Sequence, residues 1–135
     1  LLGRAYPEYI KYFALIPGLV WKGYIWQLVT YMFLHGGIWH LAMNMYALFL
    51  FGNDIEYYWG TREFYKFYFI TGIGAGIIYA ILMFHSYIPV IGASGAIFGV
   101  LLAYGLYFPE RRLFIFPLPI PIKAIHLVYI FGAIE

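Results

Sequence analysis

The chain alternates between long apolar runs and short polar connections, a pattern typical of a helical protein that crosses a membrane several times. Three apolar runs predict membrane helices at about 38–58, 62–84 and 94–108, and a fourth helix is expected to begin near Ile122. The third run is short, because a full crossing takes roughly 20 residues. Either this helix starts below the membrane surface, inside a cavity, or the bilayer is thinner there.

Residues 4–26 form the most amphipathic part of the chain. Aromatic residues alternate with lysines at low net hydrophobicity, and Pro7 and Pro17-Gly18 interrupt the pattern. Such a mixture favours the headgroup region of a bilayer, so we predict a loop with short interfacial helices. An ordinary juxtamembrane linker explains the composition equally well.

The connections between the predicted helices carry further signals. Thr61 is a candidate N-cap for the second helix, and the proline-rich stretch 117–121 predicts an extended connector before the last one. Two small-residue patterns, Gly72-x-x-x-Gly76 and Gly95-x-x-x-Gly99, let membrane helices approach closely. We interpret these glycines as packing surface.

Composition narrows the class of protein. Of the 135 residues, 64% are hydrophobic and only 10% charged, whereas a soluble domain carries roughly 25% charged residues. We predict an all-α membrane protein with one domain over 1–135, which comprises an outer loop at 1–37 and a truncated helical bundle at 38–135. The net charge of +2 is too small to indicate nucleic-acid binding, and the absence of cysteine excludes disulfides and thiolate metal sites.

The distribution of lysine and arginine predicts the orientation. The connections at 53–66 and 109–123 hold five basic residues, whereas the connection at 85–93 holds none. Since basic loops stay cytoplasmic, the aromatic loop and the Ser94 end of the third helix are expected to face outwards. A prokaryotic inner membrane is the simplest location for such compact loops.

Ser94 is the candidate nucleophile, within the small-residue run 92–95. A serine hydroxyl needs a base to remove its proton, but at a helix N-terminus the N–H groups and the helix dipole favour a developing oxyanion. Taken alone, an N-capping serine in a close-packed glycine turn explains the run better, because short motifs are unspecific.

Polar side chains also interrupt the apolar sequence at His35, His40 and Asn44. His40 and Asn44 are four residues apart, so a helix places both on one face, where an imidazole N–H and an amide N–H can act as oxyanion donors. A polar pair that holds two helices together is the alternative. His35 falls on another face and is expected in the loop that enters the helix. A metal site would lack a clear third ligand.

Together these residues resemble the motifs of the rhomboid family of intramembrane serine proteases. The stretch 35–44 matches the family pattern His-x4-His-x3-Asn, and the stretch 92–99 matches Gly-x-Ser-Gly with a further glycine four residues later. Glu56 resembles the polar residue that the family keeps near the cytoplasmic end of the same helix. The resemblance implies a core of six helices, of which this chain holds the outer loop and the second to the fifth, with residues 1–3 as the stub of the first.

The resemblance also implies roles for single residues. Ser94 is the expected nucleophile, and His40 and Asn44 are expected to join the oxyanion hole. His35 is expected to support the aromatic outer loop. Independently of the resemblance, the small residues Gly92 and Gly95 beside Ser94 are expected to support the site by leaving room for a substrate backbone.

The family's catalytic base is a histidine on the sixth helix. His85, in the 85–93 connection, could approach Ser94, whereas His126 is expected at the cytoplasmic end of its helix and too far away. We therefore expect the base to lie beyond Glu135. The fragment alone is expected to be inactive.

The expected function is a serine endopeptidase that cleaves transmembrane segments of membrane proteins within the bilayer, without a metal or organic cofactor. The alternative is a rhomboid-fold protein that binds transmembrane clients without cutting them, although such a binder needs none of Ser94, His40 and Asn44. A small channel or transporter would require charged residues or broken helices in mirrored halves, which the sequence lacks.

Overall fold

The computed structural model describes residues 6–115, 117 and 119–134. It is mainly helical, which confirms the predicted all-α class. The predicted stub of a preceding helix, at 1–3, lies outside the described residues, and the assignment of 1–135 to one domain stays a prediction. In chain order the elements are α1 (Glu8–Phe13), α2 (Pro17–Val20), α3 (Gln27–Thr30), α4 (Ile38–Ala47), α5 (Asn53–Trp59), α6 (Thr61–Leu82), α7 (Ser94–Tyr107), β1 (Arg112–Phe114), β2 (Pro121–Lys123) and α8 (Ala124–Ile134).

The outer loop consists of the three short helices α1 to α3 and a 3-10 turn at Tyr31–Phe33, which confirms the short helices predicted for its first part. Pro7 directly precedes α1, and Pro17 is the first residue of α2, where the missing N–H of proline would be unpaired anyway. Main-chain hydrogen bonds of 2.9 Å run in both directions between Leu15 and Val90. The loop is therefore attached to the connection that leads into α7.

Gln27 holds the outer loop together from inside. Its side chain is fully buried. Its Oε1 accepts the Ile16 N–H at 3.0 Å, and its Nε2 donates to the carbonyls of Lys11 and Tyr12 at 3.0 and 3.3 Å. One amide thus satisfies three main-chain groups that would otherwise be paired only by water.

One continuous helical segment runs from α4 through α5, close to the predicted range 38–58. A π-helical turn at Leu48–Gly52 divides it. Such turns are rare and frequently occur at functional sites. Phe51 in this turn and Ile55 after it point into the core, where they are 1% and 0% exposed.

Helix α6 has 22 residues and is, among the described residues, the one helix that is both long and apolar enough to cross a membrane. Gly60, with φ of 84°, reverses the chain before it and is its N-cap. The prediction of Thr61 as the cap is therefore wrong. Thr61 is the first helical residue, and its hydroxyl instead donates to Glu56 Oε1 at 2.8 Å.

Glycines make the closest contacts between α6 and α7. A Cβ at Gly95 would lie 2.8 Å from the Cβ of Ala75, and one at Gly99 would lie 2.9 Å from the Cβ of Thr71. Real Cβ atoms do not approach so closely, so these positions need glycine for the helices to touch. The interpretation of these glycines as packing surface is confirmed. By contrast, a Cβ at Gly74 would meet nothing within 4 Å.

The proline-rich connector after α7 is partly a two-stranded antiparallel sheet, which the sequence did not predict. The paired residues are Arg112 with Lys123, Leu113 with Ile122, and Phe114 with Pro121. Pro121 is tolerated because it is the first residue of a short edge strand. Helix α8 begins at Ala124, two residues later than predicted, because β2 occupies the positions before it.

Two clusters of buried residues form the core. The inner cluster surrounds Tyr104 of α7 between α5 and α8. The outer cluster joins Tyr31 and Met32 of the outer loop to Ala80 of α6 and Ala96 of α7. The outer loop and the beginning of α7 therefore pack as one unit.

Arg111 links α5 and α7 at the end that the charge distribution predicts to be cytoplasmic. Its guanidinium pairs with Asp54 and donates to the Tyr104 hydroxyl at 3.0 Å. It also stacks over the Phe108 ring, 4.7 Å from the centroid. This end of the bundle is held by a charged contact, whereas the opposite end is held by the buried amide of Gln27.

Candidate active site

A cavity of about 180 Å³ opens between α4 and α7. Three of the predicted site residues, His40, Asn44 and Ser94, line it together. The other residues that line it are Met43, Tyr46, Ala47, Leu50, Phe51, Ile97, Phe98 and Ile115. The fold therefore brings the two separate sequence motifs to one mainly apolar cavity.

Ser94 is the first residue of α7 and is partly buried. Ala93 occupies the N-cap position and no side chain caps the helix, so the interpretation of Ser94 as an N-capping residue is wrong. The first N–H groups of a helix have no acceptor within it. The N–H of Ser94 thus remains available at the positive end of the helix dipole, beside its own hydroxyl.

The His40 ring lies directly against Gly92, two residues before Ser94. Its Nδ1 accepts the N–H of Gly36 at 3.3 Å, so in the neutral ring the proton is on Nε2. A Cβ at position 92 would lie 2.9 Å from this Nε2. The donor nitrogen of His40 therefore lies at the turn that leads into Ser94.

Asn44 lies one turn after His40 on α4 and is 7% exposed. Its Nδ2 donates to the His40 carbonyl at 2.9 Å, which fixes the amide group. An amide nitrogen carries two hydrogens, so the second remains for a ligand in the cavity. The predicted pair of donors is thus present on one face of α4.

His35 lies apart from Ser94, in a second cavity of about 540 Å³ between the α4–α5 segment and α6. Its ring nevertheless meets the His40 ring edge to face, with centroids 5.1 Å apart. His35 precedes α4, which confirms the prediction that it lies in the loop entering this helix. Burial, and secondly the neighbouring His40, lower the pKa of His35, and its Nε2 is buried with no hydrogen-bond partner among the described residues.

The sequence matches the rhomboid domain family over residues 22–134. The chain belongs to the rhomboid family. RHOMBOID-like protein 5 of Arabidopsis thaliana is 36% identical over 101 residues, which cover 75% of this chain and 33% of that protein. Rhomboid protein 1, mitochondrial, of Saccharomyces cerevisiae is 33% identical over 110 residues, with 76% and 32% covered. Rhomboid protease GluP of Bacillus subtilis is 43% identical over 83 residues, with 62% and 16% covered.

This rhomboid chain spans a third or less of the length of these curated relatives. Family membership makes it an integral membrane protein and a rhomboid-type intramembrane protease or a relative of one; some members of the family are inactive. The plant and mitochondrial relatives do not support the expected prokaryotic inner membrane. No solved structure matches the chain significantly.

The two remaining histidines of this rhomboid do not line the Ser94 cavity. His85 lines a separate cleft between the outer loop and the turn after α6. His126 lies on α8 near Glu110, whose pKa is lowered by Lys123 and, more weakly, by His126. His126 is therefore near the end predicted to be cytoplasmic. The sequence left open that His85 could approach Ser94, but His85 does not line the Ser94 cavity.

Tyr31 is the residue near the site that the sequence analysis missed. Its main-chain carbonyl accepts the N–H of Gly92 at 2.9 Å, and its hydroxyl donates to the carbonyl of Gly72 at 2.6 Å. It is one of 15 tyrosines and lies in an apolar run. Nothing in the local pattern distinguishes it, because both of its partners are distant in sequence.

Proposed function

We propose that this rhomboid is an intramembrane serine endopeptidase that cleaves the transmembrane segment of another membrane protein. The observation that carries the proposal is the shared cavity of Ser94, His40 and Asn44 at the start of α7. A hydroxyl nucleophile, two side-chain donors and a free helix N-terminus converge there.

In the proposed reaction, the Ser94 hydroxyl oxygen attacks the scissile carbonyl while its proton passes to a histidine outside these 135 residues. The oxyanion is held by the Ser94 N–H, the Nε2–H of His40 and the free amide hydrogen of Asn44. The intermediate then releases the amine, which takes the proton from that histidine. Water hydrolyses the acyl-enzyme and regenerates Ser94.

The surroundings of Ser94 support a membrane-embedded substrate. The cavity walls are largely apolar, as a segment leaving the bilayer requires. A transmembrane helix shields its own peptide bonds, so the substrate must unwind locally before its carbonyl is accessible. A short helix α7 with Ser94 at its head supports attack below the membrane surface.

Labelling of the full-length protein with a fluorophosphonate probe tests the proposal. Labelling is expected at Ser94 and should be abolished in Ser94→Ala. Ser86→Ala is the matched control, because Ser86 lies in the outer connection, where its Oγ accepts the N–H of Ile88 at 3.2 Å. His40→Ala and Asn44→Ala should each slow the cleavage of a transmembrane substrate by about 10²–10³-fold.

The alternative, a rhomboid-fold protein that binds transmembrane clients without cutting them, predicts a different result. A folded, full-length wild type would then give no labelling above that of Ser94→Ala. That result would refute the proposed protease activity and favour the client binder.

A further inference from the structure

Tyr31 connects the outer loop, α6 and the turn that leads into α7, close to the Ser94 cavity. It lies in the 3-10 turn of the outer loop and is 4% exposed. Its hydroxyl donates to the carbonyl of Gly72 in α6 at 2.6 Å, and a Cβ at Gly76 would lie 3.2 Å from its ring. The Tyr31 ring thus packs against one face of α6.

The same residue holds the turn that precedes Ser94. Its main-chain carbonyl accepts the Gly92 N–H at 2.9 Å. Its hydroxyl oxygen would lie 3.6 Å from a Cβ at Gly95, on the other side of Ser94. Tyr31 therefore contacts the chain both before and after Ser94 without lining the cavity itself.

We infer that Tyr31 is a positioning residue, which sets the location of the Gly92–Ser94 turn relative to His40. The inference rests on the proposed protease function. Gly92 contacts the His40 ring on one side and the Tyr31 carbonyl on the other, so a shift of Tyr31 moves the Ser94 N–H relative to the Nε2 of His40.

The hydroxyl of Tyr31 is suited to this role because it remains a donor. Burial raises the pKa of Tyr31 to about 12, so the hydroxyl keeps its proton throughout the physiological range. The acceptor is a main-chain carbonyl of a long helix, which moves little compared with a side chain. The Tyr31 ring is therefore anchored at both of its ends.

Tyr31→Phe in the full-length protein tests the inference, because it removes the hydroxyl and keeps the ring and the main-chain bond. We expect kcat per labelled Ser94 site to fall about tenfold, since small displacements of reacting groups have large effects on rate. KM should stay near the wild-type value, because Tyr31 does not line the Ser94 cavity. Tyr104→Phe is the matched control: it also removes a buried hydroxyl, but at the Arg111 end of α7.

A second pair of variants moves the ring without changing Tyr31. Gly76→Ala introduces a methyl group 3.2 Å from the Tyr31 ring, whereas Gly74→Ala in the same helix meets nothing within 4 Å. We expect Gly76→Ala to lower kcat per labelled site and Gly74→Ala to leave it unchanged. The normalisation to labelled sites removes any loss that comes only from misfolded protein.

The results separate the inference from the function on which it rests. A lowered kcat per labelled site in Tyr31→Phe and Gly76→Ala, with normal values in both controls, supports a positioning role. Wild-type kcat per site in Tyr31→Phe, with only a lower melting temperature or fewer labelled sites, overturns the inference and leaves the protease function standing. If the wild type itself is not labelled at Ser94, both are overturned.

Discussion

Replacement of Gly92 by alanine is expected to slow substrate cleavage strongly while most of the protein stays folded. The φ angle of Gly92 is 124°, a conformation that costs a residue with a Cβ about 1–3 kcal/mol. The new methyl group would also lie 2.8 Å from Cε1 and 2.9 Å from Nε2 of His40. The imidazole must therefore move away from the turn before Ser94.

The two effects of this substitution act on different quantities. The backbone strain lowers the free energy of unfolding by about 1–3 kcal/mol. The displacement of His40 removes one donor from the proposed oxyanion hole, and such a loss slows the reaction by about 10²–10³-fold. We therefore expect a moderate drop in melting temperature together with a large loss of substrate cleavage by Gly92→Ala.

Gly23→Ala is a matched control that separates the effect of backbone strain from the effect of the contact with His40. Gly23 in the outer loop has a φ angle of 102°, and a Cβ there would meet nothing within 4 Å. Gly23→Ala should be strained to a similar extent but should cleave substrate at the wild-type rate. The melting temperature and the cleavage rate of both full-length variants are measured in the same detergent. Wild-type cleavage by Gly92→Ala, or an equal loss in Gly23→Ala, would refute the reasoning.

Three further predictions concern stability. Because the pKa of His35 is lowered from 6.5 in the folded state, the unfolded protein binds more protons, and stability should decrease as the pH falls through 6.5. Melting at pH 7.5 and pH 5 measures this, and His35→Gln should reduce the decrease. An unaltered decrease in His35→Gln contradicts the assignment. Gln27→Leu leaves buried main-chain groups unpaired and should cost about 2–4 kcal/mol of unfolding free energy; an unchanged melting temperature would show that water replaces the amide. The half-exposed pair of Asp54 and Arg111 should show less than about 1 kcal/mol of coupling in a double-mutant cycle of Asp54→Asn and Arg111→Gln, and a coupling above about 2 kcal/mol would contradict this.

The helices were predictable from the sequence because a membrane helix must satisfy its own main-chain hydrogen bonds. The length of an apolar run therefore determines the length of the helix, and the predicted range 62–84 differs from Thr61–Leu82 by no more than two residues at either end. The common face of His40 and Asn44 was predictable for a similar reason, because a spacing of four residues places both on one side of a helix. Their meeting with Ser94 was expected from the family resemblance and does not follow from this spacing.

The features that were missed depend on contacts between distant residues. The role of Tyr31 depends on Gly72 and Gly92, and no local pattern connects these positions. The β1–β2 pairing depends on the alignment of two segments on either side of the proline-rich stretch. Each proline by itself indicates only an extended chain. At the start of α6, the need for a positive φ angle favours Gly60 as the cap over the side-chain preference of Thr61.

The length of α7 makes lipid composition a variable in any measurement on this protein. Its 14 residues span about 21 Å, against about 30 Å for the hydrocarbon core of a typical bilayer. With its far end held at one surface, Ser94 would lie about 9 Å inside the opposite surface. Shorter acyl chains would bring Ser94 towards bulk water, and longer ones would bury it more deeply. Turnover compared across vesicles of graded chain length would therefore report the depth of the nucleophile, separately from substrate affinity.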